Sequence, residues 1–445
     1  MFSIKSKLLT LVACLFGASF ALAQDSGPLI DILVKKGLIN DQEAEELRAD
    51  LVKDFATSSA GKLNLGATLT ELKLSGDVRI RFEDRAGQIA VTGDNLERSR
   101  FRYRFRTSLS GKLVNNWAFT TRLETATGSR SSNVTMGDDA GPFAKTSDAV
   151  NIGQIFATWT PTPEWTVNIG RMANPLVATS MVWDGDINPE GFSEQYKHRV
   201  GQNEYGFTLG QFLYSTSGNQ NSTSITATAP AGAKDLYLTA WQGNYKRYIE
   251  GTGTFFQIAP TMYAYYNTDQ RKNPAAFNGT MVAGNAAPIN NLLVLDVPFE
   301  YDWVSGGVPM RAFADVAINF DADQRAAKFG RPDLSGQDKA YHVGLQYGKA
   351  SLPGEWDAKV FYQSVGAFAL DTNLVDSDLF DSKTNMQGFV LGANYALGAA
   401  TQLSLTLAKG QRVNDSVIAS GSGDIGSNNA LDKYWLFQCD LNIKF

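Results

Sequence analysis

From Leu72 onward the chain alternates between apolar and polar positions. In LKLSGDVRIRFE (72–83), Leu72, Leu74, Val78, Ile80 and Phe82 fall on one face of an extended segment, and Lys73, Ser75, Asp77, Arg79, Arg81 and Glu83 on the other. That is the period of two that a β-strand imposes on its side chains. RSRFRYRFR (98–106) repeats it with stronger chemistry: Arg98, Arg100, Arg102, Arg104 and Arg106 oppose Phe101, Tyr103 and Phe105. The chain ends on YWLFQCDLNIKF (434–445), where Trp435, Phe437, Cys439, Leu441, Ile443 and Phe445 alternate with Gln438, Asp440, Asn442 and Lys444.

Before Leu72 the period differs. Leu29, Ile32 and Leu33 share a helical face that Gly37 would end, and Asn40 with Glu43 fits a capping box opening a second helix through Leu47 and Leu51. A helical hairpin of about 28 residues is too small to fold alone.

The alternating pattern predicts strands at 72–84, 98–113, 116–126, 149–160, 165–172, 191–200, 204–216, 235–247, 254–267, 290–302, 308–320, 339–350, 355–365, 385–397, 401–412 and 433–445. Odd-numbered connections then run roughly 13 to 22 residues and even-numbered ones about two to six, the asymmetry of an outer-membrane barrel with long external loops and short periplasmic turns. The fold class expected is therefore all-β: a transmembrane antiparallel barrel of sixteen strands over 66–445, behind a helical segment at 24–65.

The first residues agree with export. Lys5 and Lys7 precede the apolar run Leu8 to Phe20, and Ala21-Leu22-Ala23 supplies an A-x-A site, so 1–23 reads as a signal peptide. The apolar run before Cys14 is short for the alternative, a lipoprotein cleavage box. No later stretch reaches the roughly 18 to 20 apolar residues of a spanning helix, so a membrane would have to be crossed by strands. Removal of the signal leaves 38 basic and 45 acidic side chains, a charge of −7, which argues against nucleic acid as the partner of the arginine run. Only Cys439 then remains, so no intramolecular disulfide is expected.

Closure explains the arginines. In hydrocarbon every backbone amide needs a partner, so the sheet must close, and closure leaves charge inside and rings outside. With Phe101, Tyr103 and Phe105 toward lipid, the five arginines face the lumen. A mean hydropathy of −0.20 fits a chain half of whose strand positions meet water.

LIDILVKKGLINDQEAEELR (29–48), GRMANPLVATSMVWDGDINPEG (170–191), PMRAFADVAINFDAD (309–323), AYHVGLQYGKASLPGEWDAKVFYQ (340–363) and NLVDSDLFDSKTNMQGFVLGANYAL (373–397) together resemble the putative porin family of Gram-negative outer membranes. The resemblance implies a single-chain barrel that conducts small hydrophilic solutes passively. By analogy with general porins it extends to a homotrimer and to an inward third loop, here ANPLVATSMVWDGDINPE (173–190). That loop would set Asp184, Asp186 and Glu190 against a lumen wall of Arg79, Arg81, Arg98, Arg100, Arg102, Arg104, Arg106 and Arg122 with Glu124, a transverse field favouring anions or zwitterions. Five like charges on one strand repel, so Asp77, Glu83 and Glu124 are the expected wall partners. Terminal Phe445 resembles the signal read by the outer-membrane assembly machinery. Outer-membrane lipids and small hydrophilic or anionic solutes complete the expected partners.

Other chemistry finds little support. His198 and His342 lie on separate strands without metal-ligand spacing, no Ser–His pair stands out, and GSGDIG (421–426) matches GxGxxG without a following helix. No enzymatic activity, cofactor or metal is expected. Asp376/Asp378 and Asp321/Asp323 are the pairs that could hold Ca²⁺ at the external rim. The alternative function is a closed structural or adhesive barrel whose long loops bind partners.

Overall fold

The computed structural model describes residues 34–36, 43–45, 66–125, 131–137, 150–215, 235–249, 253–267, 281–282, 285–286, 292–328, 330–417, 424–425 and 431–445. The chain divides into two units, Met1–Gly66 and Ala67–Phe445. In the first, Val34 and Lys35 and, separately, Glu43 to Glu45 are helical. The expected signal peptide, and the helical lead apart from these residues, lie outside the described residues.

The second unit is one antiparallel sheet closed on itself. Its first eight strands are β1 (Leu69–Ile89), β2 (Asn95–Leu113), β3 (Trp117–Thr125), β4 (Val150–Thr162), β5 (Trp165–Arg171), β6 (Glu190–Val200), β7 (Asn203–Ser215) and β8 (Leu236–Ile249). Then come β9 (Thr254–Ile258 and Thr261–Tyr266), β10 (Leu293–Asp296 and Phe299–Ser305), β11 (Val308–Asn319), β12 (Lys339–Gly348), β13 (Trp356–Val365), β14 (Met386–Ala396), β15 (Thr401–Arg412) and β16 (Leu431–Lys444). Each pairs with its neighbours in the chain, and β16 returns to β1, from Asp77 opposite Lys444 to Ile89 opposite Leu431. The last residue closes the seam: the Gly76 amide donates to the Phe445 carbonyl at 2.8 Å, and the Phe445 amide to the Gly76 carbonyl at 3.0 Å.

The sixteen strands fall where the alternation placed them, with two differences. β9 and β10 are each interrupted, at Ala259-Pro260 and Val297-Pro298. Proline has no N–H to give the ladder, and the two breaks lie side by side, the Ala259 amide donating to the Pro298 carbonyl at 3.1 Å. The first connection is five residues (90–94), shorter than the roughly 13 expected of a long loop, because β1 and β2 stay paired as far as Gln88 opposite Asn95. A two-residue strand, Val134–Thr135, covers Arg102 and Tyr103 of β2 above the end of β3, giving that backbone a second partner.

Rings and aliphatic side chains cover the outer face; Phe101 keeps 56% of its surface exposed. Near the short turns the outer rings pair, Trp117 with Trp159 at 5.9 Å, Trp165 with Tyr196 at 5.1 Å and Tyr347 with Trp356 at 5.3 Å, an interfacial aromatic girdle.

The interior is two-sided. Leu176, Met181, Val182 and Trp183 of loop 172–189 and Ala369, Leu370, Leu374 and Val375 of loop 366–385 pack on inward residues of β7 to β13, among them Phe212, Leu238, Tyr263, Val294, Ala340 and Val365. Charge was expected inside; here part of the inward wall is apolar, where these loops cover it. Gln242 of β8 pins the first loop, accepting from the Val177 amide at 2.9 Å and donating to the Val177 carbonyl at 2.8 Å.

Candidate functional site

Opposite the apolar wall, β1 and β2 pair with Asp77 facing Arg106, Arg79 facing Arg104, Arg81 facing Arg102, Glu83 facing Arg100 and Arg85 facing Arg98. Three of these rungs set arginine against arginine, which destabilises a bare sheet. Carboxylates from three sources offset the repulsion.

The strands supply the first. Asp77 accepts from Arg104 at 2.8 Å and Arg106 at 2.7 Å, and Asp440 of β16 takes both Nε and Nη2 of Arg81 at 2.7 and 2.8 Å. Glu83 accepts from Arg100 Nε at 2.8 Å, Arg85 at 3.0 Å and Gln438 at 2.9 Å. On β3 Arg122 pairs with Glu124 at 2.8 Å. Glu83 and Arg85 are wholly buried, and Arg81 and Arg102 are each 3% exposed, so these pairs act at low dielectric with little screening.

Loop 172–189 supplies the second. Asp186 lies 3.3 Å from Arg106 and 3.8 Å from Arg104. Asp184 turns elsewhere: buried, it accepts the amides of Asp186 at 2.9 Å and Ser377 at 3.0 Å and so ties this loop to loop 366–385.

Loop 366–385 and Asp424 supply the third. Asp378 accepts from Arg81 at 2.7 Å and Arg85 at 2.9 Å, and Asp424 from Arg100 at 2.6 Å. Partial burial alone would raise the Asp378 carboxyl; Arg81 and Arg85 outweigh it and hold it well below the usual carboxylate range. Asp376 is pushed well above that range, first by its partial burial and then by the neighbouring carboxylates of Asp184 and Asp378.

Of the residues singled out in the sequence, Arg79, Arg81, Arg98, Arg100, Arg102, Arg104, Arg106, Arg122 and Glu124 thus lie together on the inward faces of β1 to β3, with Asp186 against them. Glu190 does not join them. It begins β6, whose alternation turns it outward beside half-exposed Phe192, and it pairs with Arg171 at 2.7 Å. Nor is Asp378 a rim ligand for calcium, since its oxygens are taken by guanidinium groups. Among the described residues no cluster of three or more His, Cys, Asp or Glu is placed to hold a metal. Arg85, Asp378 and Asp424 were missed as site residues. Arg85 was findable, because it prolongs the odd-numbered polar face of β1; the two aspartates join the wall only through long-range loop placement.

A seamless sixteen-stranded barrel with lipid-compatible rings outside and a charged wall inside defines a porin-like channel of the outer membrane. More closely, the chain belongs to the family described as putative porin, whose model matches residues 90–290 and 300–445; its members are non-enzymatic channels. Solved structures match the chain at low identity. Pseudomonas putida OprB is 10% identical, with 84% of this chain and 94% of that one covered and a TM-score of 0.50. An anion-selective porin from Comamonas acidovorans is 11% identical over 84% and 99%, with a TM-score of 0.45. A mutant of the Rh. blastica porin is 10% identical over 84% and 100%, with a TM-score of 0.40. None of the curated proteins matches the chain.

Proposed function

We propose that the channel admits small hydrophilic solutes by passive diffusion and favours anions or zwitterions. Arg79, Arg81, Arg98, Arg100, Arg102, Arg104, Arg106, Arg122 and Glu124 are the pore-lining residues in this reading, and Asp186 is the opposing constriction residue. The observation that carries it is the dense inward arginine face of β1 and β2, on which the loop carboxylate of Asp186 sits 3.3 Å from Arg106. Such a basic face sets a field in the lumen that orients dipolar solutes and lowers the barrier for anions. Export through a signal peptide at 1–23, assembly through terminal Phe445 and a homotrimeric state belong to the same reading.

Reversal potentials in planar bilayers under a KCl gradient test it. Anion preference is expected for the wild type, and it should fall when Arg100, Arg102 and Arg104 are replaced by Gln. Cation preference in the wild type, or an unchanged ratio in the triple variant, overturns it.

One observation favours the second reading, a closed barrel whose long loops bind partners: loops 172–189 and 366–385 are bonded to each other and to the arginine wall inside the barrel. A folded protein that never gives conductance steps would establish that reading.

A further inference from the structure

The inward wall formed by β1, β2 and β16 carries eight guanidinium groups, Arg79, Arg81, Arg85, Arg98, Arg100, Arg102, Arg104 and Arg106, against three strand carboxylates, Asp77, Glu83 and Asp440, and Asp77 is taken by Arg104 and Arg106. The excess positive charge is met from outside the sheet. Asp378 bridges Arg81 and Arg85 at 2.7 and 2.9 Å, and Asp424 lies 2.6 Å from Arg100, 3.4 Å from Arg85 and 3.6 Å from Arg102.

The two groups of acids differ in accessibility. Glu83 is buried and Asp440 keeps 10% of its side-chain surface, whereas Asp378 and Asp424 keep 27% and 30%. Arg102 also has unused capacity: its Nε and Nη1 are buried without a hydrogen bond, with Nη1 near Asp424. Two water-accessible carboxylates on loops therefore occupy a site whose permanent members are arginines on rigid strands.

We propose that this wall is a binding site for dicarboxylate solutes, and that Asp378 and Asp424 are its tethered internal occupants, displaced as a solute enters. A dicarboxylate brings the same two groups to the same guanidinium forks, where charge-assisted and bidentate bonds are strongest. A tethered carboxylate competes at an effective concentration in the millimolar range, so entry requires solute of that order. Displacement frees Asp378 from Arg81 and Arg85 while Asp184 still holds loop 366–385 through the Ser377 amide and the Leu374 carbonyl. The loop end bearing Asp381 and Lys383 then loosens.

The inference rests on the anion reading, and separate readouts distinguish the two. Reversal potentials in KCl alone report anion preference; the concentration dependence of current changes on adding succinate, with acetate and inorganic phosphate as controls, reports the site. Succinate is expected to saturate, and D378N/D424N should lower its half-saturating concentration by about tenfold, since the internal competitor is gone. In the wild-type chain succinate, and not acetate, should also expose buried Lys383 to trypsin, a readout independent of whether the double variant folds. An unchanged or raised half-saturating concentration in the folded variant, equal effects of acetate and succinate, tighter saturation by phosphate, or no cleavage at Lys383 would each overturn the assignment.

Discussion

Asp184 and Ser377, 193 positions apart in the chain, meet inside the barrel: the Ser377 amide donates to the Asp184 carboxylate at 3.0 Å. Next to it the Asp184 amide donates to the Leu374 carbonyl at 2.6 Å. This junction makes one body of the two inward loops, with an apolar side on β7 to β13 and a carboxylate side toward β1 and β2. The charged wall is thus met by loop carboxylates as well as by those of the strands.

Glu83→Gln removes the carboxylate that Arg85 and Arg100 share. Two buried guanidinium groups would lose a partner, and such a loss costs about 3–5 kcal/mol. Denaturant unfolding in detergent micelles should show a loss of that order, larger than for Glu71→Gln, whose partner Lys112 is exposed.

Gln242→Ala cuts both bonds to the Val177 backbone and that to Thr261. The expected cost is about 1–3 kcal/mol, because the Val177 backbone groups and the buried Thr261 hydroxyl lose a partner. Single-channel traces should become noisier as loop 172–189 loosens; traces as quiet as the wild type's would count against the loop's lying in the ion path.

Asp186→Asn removes the loop acid beside Arg104 and Arg106 and leaves their strand partner Asp77 in place. In a KCl gradient the reversal potential should move toward stronger anion preference, opposite in sign to the effect of replacing the arginines. A shift toward cations would contradict the proposed constriction.

The pH dependence of the loop junction should follow Asp376 and Asp378 in opposite senses. Asp376 has a raised pKa in the folded chain, so its contribution is full below the ordinary carboxylate pKa and is lost as pH rises through its own. Asp378 has a depressed pKa, so its hold on Arg81 and Arg85 is present above the ordinary carboxylate pKa and persists until pH falls through its own. Trypsin cleavage at Lys383 should increase in the wild type as pH rises through the raised Asp376 pKa, and Asp376→Asn should flatten that rise.

Gly76 sits where a Cβ would come within 2.3 Å of the Arg106 carbonyl and 2.5 Å of the Phe445 ring. Gly76→Val should therefore impair closure of β1 on β16. Folding followed by the heat-dependent shift in gel migration should show a reduced yield of closed barrel; a wild-type yield would mean that Phe445 can move aside.

The barrel was legible because its strands are written in local chemistry. Alternation such as Arg100-Phe101-Arg102-Tyr103 fixes which side of the strand meets water, and the rhythm of long and short connections fixes how strands adjoin. The breaks in β9 and β10 were not read from the sequence, although Pro260 and Pro298 carry their cause; only side-by-side pairing shows that they match. Glu190 was misplaced because it was read as loop, when its position as the first residue of β6 made strand alternation decisive.

The sequence by itself determined a closed sheet with arginine inside and rings outside, since a period of two and the need to pair every backbone amide in lipid leave no other arrangement. Asp77, Glu83 and Glu124 were legible as strand partners of those arginines, and only the tertiary structure decided which loop acids join them. Asp378 lies 297 residues from Arg81, and no local pattern encodes that meeting. It depends on an apolar loop finding cover against β7 to β13, and that burial carries the carboxylate across the lumen.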